Sequence, residues 1–473
     1  MKKLWITSLS FLFMVTGLFA QDLSPDQLKE DFRIFRESLE KFHPEMYRFT
    51  APEVFEAQFE EIESAIETPM SQQEFYKLLR PVLVSLKDGH IKWIVQGKDQ
   101  HYGFYEENLF PVELYFENEK VFALRHFSGE KIPALAEVLT INNQPIQSIK
   151  SQLMKTLTFG DGESQGGKYF QLNRYFSAYY STEYGIDENY TIEWIVDGKT
   201  EKWTGSGVSR EEIENNFSEV EAPFTFKMIN GWTGILKINR FYSMPGEPDF
   251  SKFLKNSFQS LKNEGISNLI LDLRGNEGGS EKLGIELYSY LALDKFRYYD
   301  YLSTRPNQKV DFPQYTSKLF RLANSFSREK NGIYQTTLGP GRKTMKPNRL
   351  AFQGNVILLL DGQSFSVTTE VASRALSDGR VTILGQETAG GAEGNSSGFF
   401  TILTLPHSKI DLGIPRIGFH MADLSEKVDP SRGIIPHEII VPNAESILSG
   451  KDPVMERALQ RVVRPEINQG SHP

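Results

Sequence analysis

Between Val356 and Gly391 the chain reads VILLLDGQSFSVTTEVASRALSDGRVTILGQETAGG. The apolar run 356–360 is too short for a helix of its own and has the character of a buried strand. DGQSFS then supplies turn chemistry, and Val371, Ala372, Ala375 and Leu376 fall on one face of a helix. A second apolar run, 381–384, follows Asp378-Gly379. Strand, tight turn, helix and strand make the repeating unit of an α/β sheet, and this unit constrains the fold class more than any other segment. A serine at a strand-to-helix turn sits where the first backbone N–H groups of the helix lack partners. Those donors and the helix dipole suit an oxyanion. Ser366 is therefore the first candidate nucleophile, and Ser364, earlier in the turn, is the second.

The chain has 473 residues, enough for several domains with an ample core. Its start, MKKLWITSLSFLFMVTGLFAQ, has two lysines, a short apolar stretch and Ala20-Gln21, the pattern of a secretory signal peptide over residues 1–20. No later segment is long and apolar enough to span a bilayer, so no membrane span is expected after cleavage. Zero cysteines exclude a disulfide framework, a thiol nucleophile and a cysteine metal site. Export without disulfides points to a periplasmic or secreted protein. The net charge of -9, from 52 basic and 61 acidic residues, argues against nucleic acid as partner. No HExxH or paired-histidine spacing suggests a metal, and RGNEGGS matches neither phosphate-loop pattern, so no cofactor is expected.

Three capped amphipathic patterns, opening at Ser24-Pro25, Thr50-Ala51-Pro52 and Ser71-Gln72-Gln73-Glu74, predict an N-terminal helical bundle over 21–100. The third ends at Lys87-Asp88-Gly89-His90, where Gly89 is expected as the C-cap, and 91–95 alternates like a strand. Short strand patterns over 104–205 predict a β-rich module, and the polar stretch 204–222 reads as a linker. From 222 to 462 strands and helices alternate as an α/β core. Within it, residues 295–353 form a long excursion that reads as a lid or as structure of its own. The loop Gly275-Asn276-Glu277-Gly278-Gly279 follows one core strand and Ser366 follows the next. Both loops can therefore open on one crevice at the carboxyl ends of the strands.

Three segments carry a family likeness: SLKDGHIKW (85–93), NLILDLRGNEGGS (268–280) and LLLDGQSFSVTTEVASRALSDGRVTILGQETAGG (358–391). With the order of the modules, they resemble the S41 family of carboxy-terminal-processing and tricorn-like serine peptidases. The resemblance implies a β/α-spiral (ClpP/crotonase-like) core, a PDZ-like module at 104–205 and peptide cleavage through an acyl-enzyme. It also implies that Ser366 attacks while the N–H groups of Val367 and Gly278 hold the oxyanion. Gly391 stands where the processing branch carries its general-base lysine, so a Ser-Lys dyad is absent. The tricorn-like branch takes its base from a histidine at the end of the bundle, and His90 in DGH matches it. The orienting acid of that branch falls at Pro430, with Asp429 one residue earlier and Glu426 nearby, so Asp429 is the candidate third member.

His90 also follows from chemistry, because a serine hydroxyl needs a base within reach and imidazole titrates near pH 6.5. The structural alternatives are an N-capping Ser366 and a His90 that binds a backbone carbonyl. Two further readings stay open: a catalytically silent peptide-binding scaffold and an esterase-type acyl hydrolase. A peptide or protein is the expected partner in either peptide-directed reading.

Overall fold

The computed structural model describes residues 22–217, 221–337 and 339–463. The expected leader at 1–20 lies outside them. Helices Pro25–Phe42, Pro52–Ala65 and Gln72–Leu86 form the bundle. The first and third open on full capping boxes, Ser24 with Gln27 and Ser71 with Glu74, as the sequence signals. Phe35, Phe55, Phe59, Phe75 and Leu79 fill the interior. The third helix is closed by Lys87 in the left-handed conformation, with φ 50°. The C-cap is thus Lys87 and not Gly89. Gly89 is required for another reason given below.

Strands Val112–Glu117, Lys120–His126, Glu137–Ile141, Tyr190–Val196 and Lys199–Gly205 pair in that spatial order as an antiparallel sheet. Helices Ile146–Met154 and Gly166–Tyr184 accompany this sheet. The segment expected to be a linker holds the short capped helix Arg210–Asn215.

The core sheet runs Glu438–Ile439, Thr382–Gly385, Asn355–Leu360, Asn268–Asp272, Thr233–Ile238 and Phe224–Asn230, parallel except for the last strand. Leu269 and Leu271 point to one face, into a cluster with helices Phe250–Asn263, Glu281–Ser289 and Val367–Ser377. Ile270 points to the other face, where helix Pro453–Arg461 contributes Val454 and Ala458. Burial on both faces explains why these strands read as unbroken apolar runs.

A second, seven-stranded sheet is built on the hairpin Gly394–Thr404 and Ile410–Met421. The excursion belongs to it: Tyr299–Thr304 pairs antiparallel with Ile410–Met421, and Tyr298, Tyr299 and Leu302 are buried in the core cluster. Strand Lys92–Val95 pairs with the other end of the same edge of that long strand, Trp93 against Leu412. The segment just after His90 is therefore part of a core sheet. The overall class is mixed α/β.

Candidate active site

The turn after Asn355–Leu360 is tied down by Asp361. Its carboxylate accepts from the N–H groups of Gly275, Gln363 and Ser364 and from the Ser364 hydroxyl. Ser364 is buried, and its one hydroxyl proton is shared between Asp361 Oδ1 at 3.1 Å and Leu273 O at 3.2 Å. This engaged hydroxyl removes Ser364 as the second nucleophile. Ser366 differs: its side chain makes no capping bond, and its backbone sits at φ 54°, ψ -126°. A non-glycine residue there costs about 1–3 kcal/mol and persists only where its surroundings enforce it. The GxSxG motif that usually permits such an elbow is missing from the sequence, yet the backbone forms one. Glycines from elsewhere make the room. A Cβ on Gly278 would stand 2.8 Å from Ser366 Cβ, and one on Gly390 3.0 Å from Ser366 N.

Phe365 carries the histidine. The His90 ring stacks on it with centroids 4.3 Å apart and 28° between planes, which brings the DGH loop to the residue beside Ser366. Gly89 makes this approach possible, since a Cβ there would lie 2.8 Å from both Phe365 Cζ and Gly160 N. Among the described residues no hydrogen bond joins Ser366 Oγ to His90. Imidazole Nδ1 is buried without a hydrogen-bond partner, 3.9 Å from Asp88 Oδ1. Such contacts in an unliganded site are often long and tighten with substrate.

Behind His90 lies a layer of acids. Asp88 Oδ1 accepts from the His90 N–H at 2.8 Å, and Asp88 Oδ2 faces His43 Nε2 at 3.0 Å. Glu45 N–H donates to His43 Nδ1, so Nε2 carries the proton toward Asp88. Asp161, from the loop between helices Ile146–Met154 and Gly166–Tyr184 of the β-rich module, accepts from Gly89 N through one oxygen and from Gly391 N through the other. A Cβ at Gly391 would stand 3.2 Å from Asp161 Cβ. Asp161 thus packs against the position where the dyad lysine would be. Ligating atoms of Asp88, His90 and Asp161 lie within 4.8 Å of one another. Every oxygen of both acids already accepts a hydrogen bond.

Electrostatics follow burial. Burial drives His90 down to about 4, against the pull of Asp88, so its imidazole is neutral at physiological pH. Burial and the Asp88 charge raise Asp161 to about 7. Burial opposes ionisation of Asp88 too, but the hydrogen bonds it accepts from His43 and from the His90 N–H hold it below the usual carboxylate range.

The structure brings Ser366, Val367, Gly278 and His90 to one place. Asp429 is placed differently: its carboxylate is exposed and binds the N–H and hydroxyl of Ser431 in its own turn. The carboxylates beside His90 are Asp88 and Asp161, one inside the quoted DGH and the other in a DG turn with no motif to mark it. Val367 N–H has no hydrogen-bond partner among the described residues, as an oxyanion donor requires. Gly278 N–H is engaged, donating to Asn276 Oδ1 at 2.8 Å. Asn276 is buried, donates to Ile238 O, and accepts from Phe365 N–H through its own carbonyl. It joins the glycine loop to the serine turn, and nothing in its sequence context marks that role. A cavity of about 910 Å³ between the β-rich module and the core is lined by Tyr115, Asn173, Arg240, Gly275 and Gln363, and so reaches the glycine loop.

Residues 232–402 match the family model of peptidase family S41. No curated protein matches the chain. Among solved structures, mature CPAF is similar at 14% identity and a TM-score of 0.62, over 92% of this chain and 96% of that one. Mature CPAF complexed with lactacystin is similar at 15% identity and 0.61, over 92% and 97%. At that identity the likeness concerns the fold, and the fold extends over the bundle, the β-rich module and the core together. Through residues 232–402 the α/β core is similar to peptidase family S41, and the fold of the chain as a whole is similar to that of mature CPAF.

Proposed function

We propose that the protein is a serine peptidase of the tricorn-like branch, exported through residues 1–20, that cleaves peptide bonds in unfolded or carboxy-terminal segments. The observation that carries this reading is the elbow at Ser366, with the His90 ring stacked on the adjoining Phe365. Ser366 Oγ attacks the peptide carbonyl while neutral His90 takes its proton. Val367 N–H and an N–H of the Gly278-Gly279 pair hold the oxyanion, Gly278 after releasing Asn276. The same imidazole then protonates the leaving amine, and water completes hydrolysis of the acyl-enzyme. Asp88 and Asp161 take the orienting role in place of Asp429, because they are the carboxylates that flank the ring. The β-rich module, read as PDZ-like, would add a peptide end to a sheet edge beside the large cavity.

A silent peptide-binding scaffold is favoured by the unpartnered His90 Nδ1 and the engaged Gly278 N–H. A serine-directed fluorophosphonate separates the two. Labelling at Ser366 that is lost in His90→Ala and in Ser366→Ala is expected, and absence of labelling across the neutral range would make the protein a scaffold. Parallel peptide and ester substrates distinguish a peptidase from an esterase.

A further inference from the structure

Residues 305–349 hold ten Lys and Arg against two acids, Asp311 and Glu329. Residues 305–349 therefore carry +8 in a chain of -9, which leaves -17 on the remainder. Asp311 pairs with Arg33 of the bundle, and among the described residues none of the ten cations is in an ion pair. A concentration of unpaired positive charge on an acidic protein marks a surface for an anionic partner.

Helix Lys318–Asn324, at the centre of this segment, is inverted relative to an ordinary surface helix. Phe320 and Asn324 are buried, Phe320 against the Phe399 ring and the Arg416 guanidinium. Leu319 and Leu322 point outward at 67% and 65% exposure, with Phe326 in the following turn at 67%. Tyr315, on the short strand before the helix, is 66% exposed and sits across from Ile402, itself 50% exposed. Lys318 and Arg321 lie on the helix, and Arg328 and Lys330 on the strand after it. Outward leucines and aromatics among unpaired cations fit the boundary of an anionic bilayer, where apolar side chains enter the acyl region and cations meet headgroups.

We infer that this face is a peripheral docking surface for membranes rich in anionic lipid, independent of the peptidase reading. No helix among the described residues is long and apolar enough to cross a bilayer, so the association is superficial and reversible. An acidic macromolecule would use the cations but leave the exposed leucines and aromatics without a role. A second copy of the chain is the competing occupant.

The test is co-sedimentation of the chain starting at Gln21, which keeps every described residue, with phosphatidylglycerol–phosphatidylcholine vesicles and with phosphatidylcholine alone. Binding is expected only to the anionic vesicles. It should weaken about tenfold or more in Lys318→Glu/Arg321→Glu and in Leu322→Asp/Phe326→Asp, and fall as the Debye length shrinks from about 10 Å at 0.1 M salt to about 3 Å at 1 M. The charge-reversal pair alters only exposed side chains, so it remains decisive even if the aspartate pair folds poorly. No binding to anionic vesicles overturns the inference, as does binding that both double variants retain. A concentration-dependent dimer in sedimentation velocity, broken by the same variants in the absence of vesicle binding, overturns it in favour of self-association.

Discussion

Ser366, His90, Asp88 and Asp161 each owe their state to a close neighbour. Because burial holds His90 near 4, its base form persists well below the ordinary histidine range. The acid limb of kcat/KM is therefore expected near pH 4, with activity lost as the ring protonates below it. Asp161 is protonated below about 7 and ionises above it, and on the proposed mechanism it would then add negative charge beside the imidazolium. A second rise in rate through about pH 7 is expected, and Asp161→Asn should remove it; the apparent values belong to the cluster as a whole. A profile rising only near 6.5 and unchanged by Asp161→Asn would contradict this. Glu370, one turn into the serine helix, binds the Tyr299 hydroxyl and the Asn395 amide. Burial raises it to about 8. The native state then holds a proton that the unfolded chain releases near 4.3, so stability falls as pH rises between those values. Glu370→Gln should abolish that fall, worth on the order of a few kcal/mol, in urea titrations at pH 5 and 8.

At the scale of elements, legibility followed local signals. Capping boxes at Ser24 and Ser71 mark their helices because two backbone donors are satisfied within four residues. Replacing Ser71 by Ala should cost about 1 kcal/mol of stability in denaturant titration. Helix Gly166–Tyr184 escaped notice for the opposite reason. It opens on Gly166-Gly167 without a side-chain cap, is broken at Tyr175 (φ -125°), and buries several faces, so no single stripe appears. The hairpin of Gly394–Thr404 and Ile410–Met421 also went unread, since its long second strand is buried almost throughout and does not alternate. Ser366 and His90 were legible because a turn and a quoted motif carry them. Asp161 and Asn276 were not, because their roles exist only after distant loops meet.

Across the whole molecule, a charged cluster fastens the bundle to the second sheet. Glu45 meets His420 Nε2 at 2.5 Å and accepts from Ser303, while Arg48 reaches both Glu45 and Glu393. Glu393 lies 3.7 Å from His420 Nδ1, and Tyr301 stacks on the ring. Burial works against a charged His420, but Glu393 and Glu45 raise its pKa above the usual value. Its contribution is therefore full below about 6.5 and declines as pH rises through the raised value. Burial likewise opposes ionisation of Glu45, yet His420 and Arg48 bring it down to about 2, so its share is present above about 4.3 and fades toward 2. His420→Gln should lower the melting temperature most between about pH 4.3 and 6.5, and a uniform loss at all pH values would refute the charge argument.

The stacking of His90 on Phe365 has a temporal consequence. A ribosome releases the imidazole long before the hydroxyl, and His90 reaches the Phe365 ring beside Ser366 only once the strand after it has docked beside Leu412. On the proposed reading, a nascent or unfolded chain holds the two groups apart, and completion of tertiary structure is the step that assembles the site.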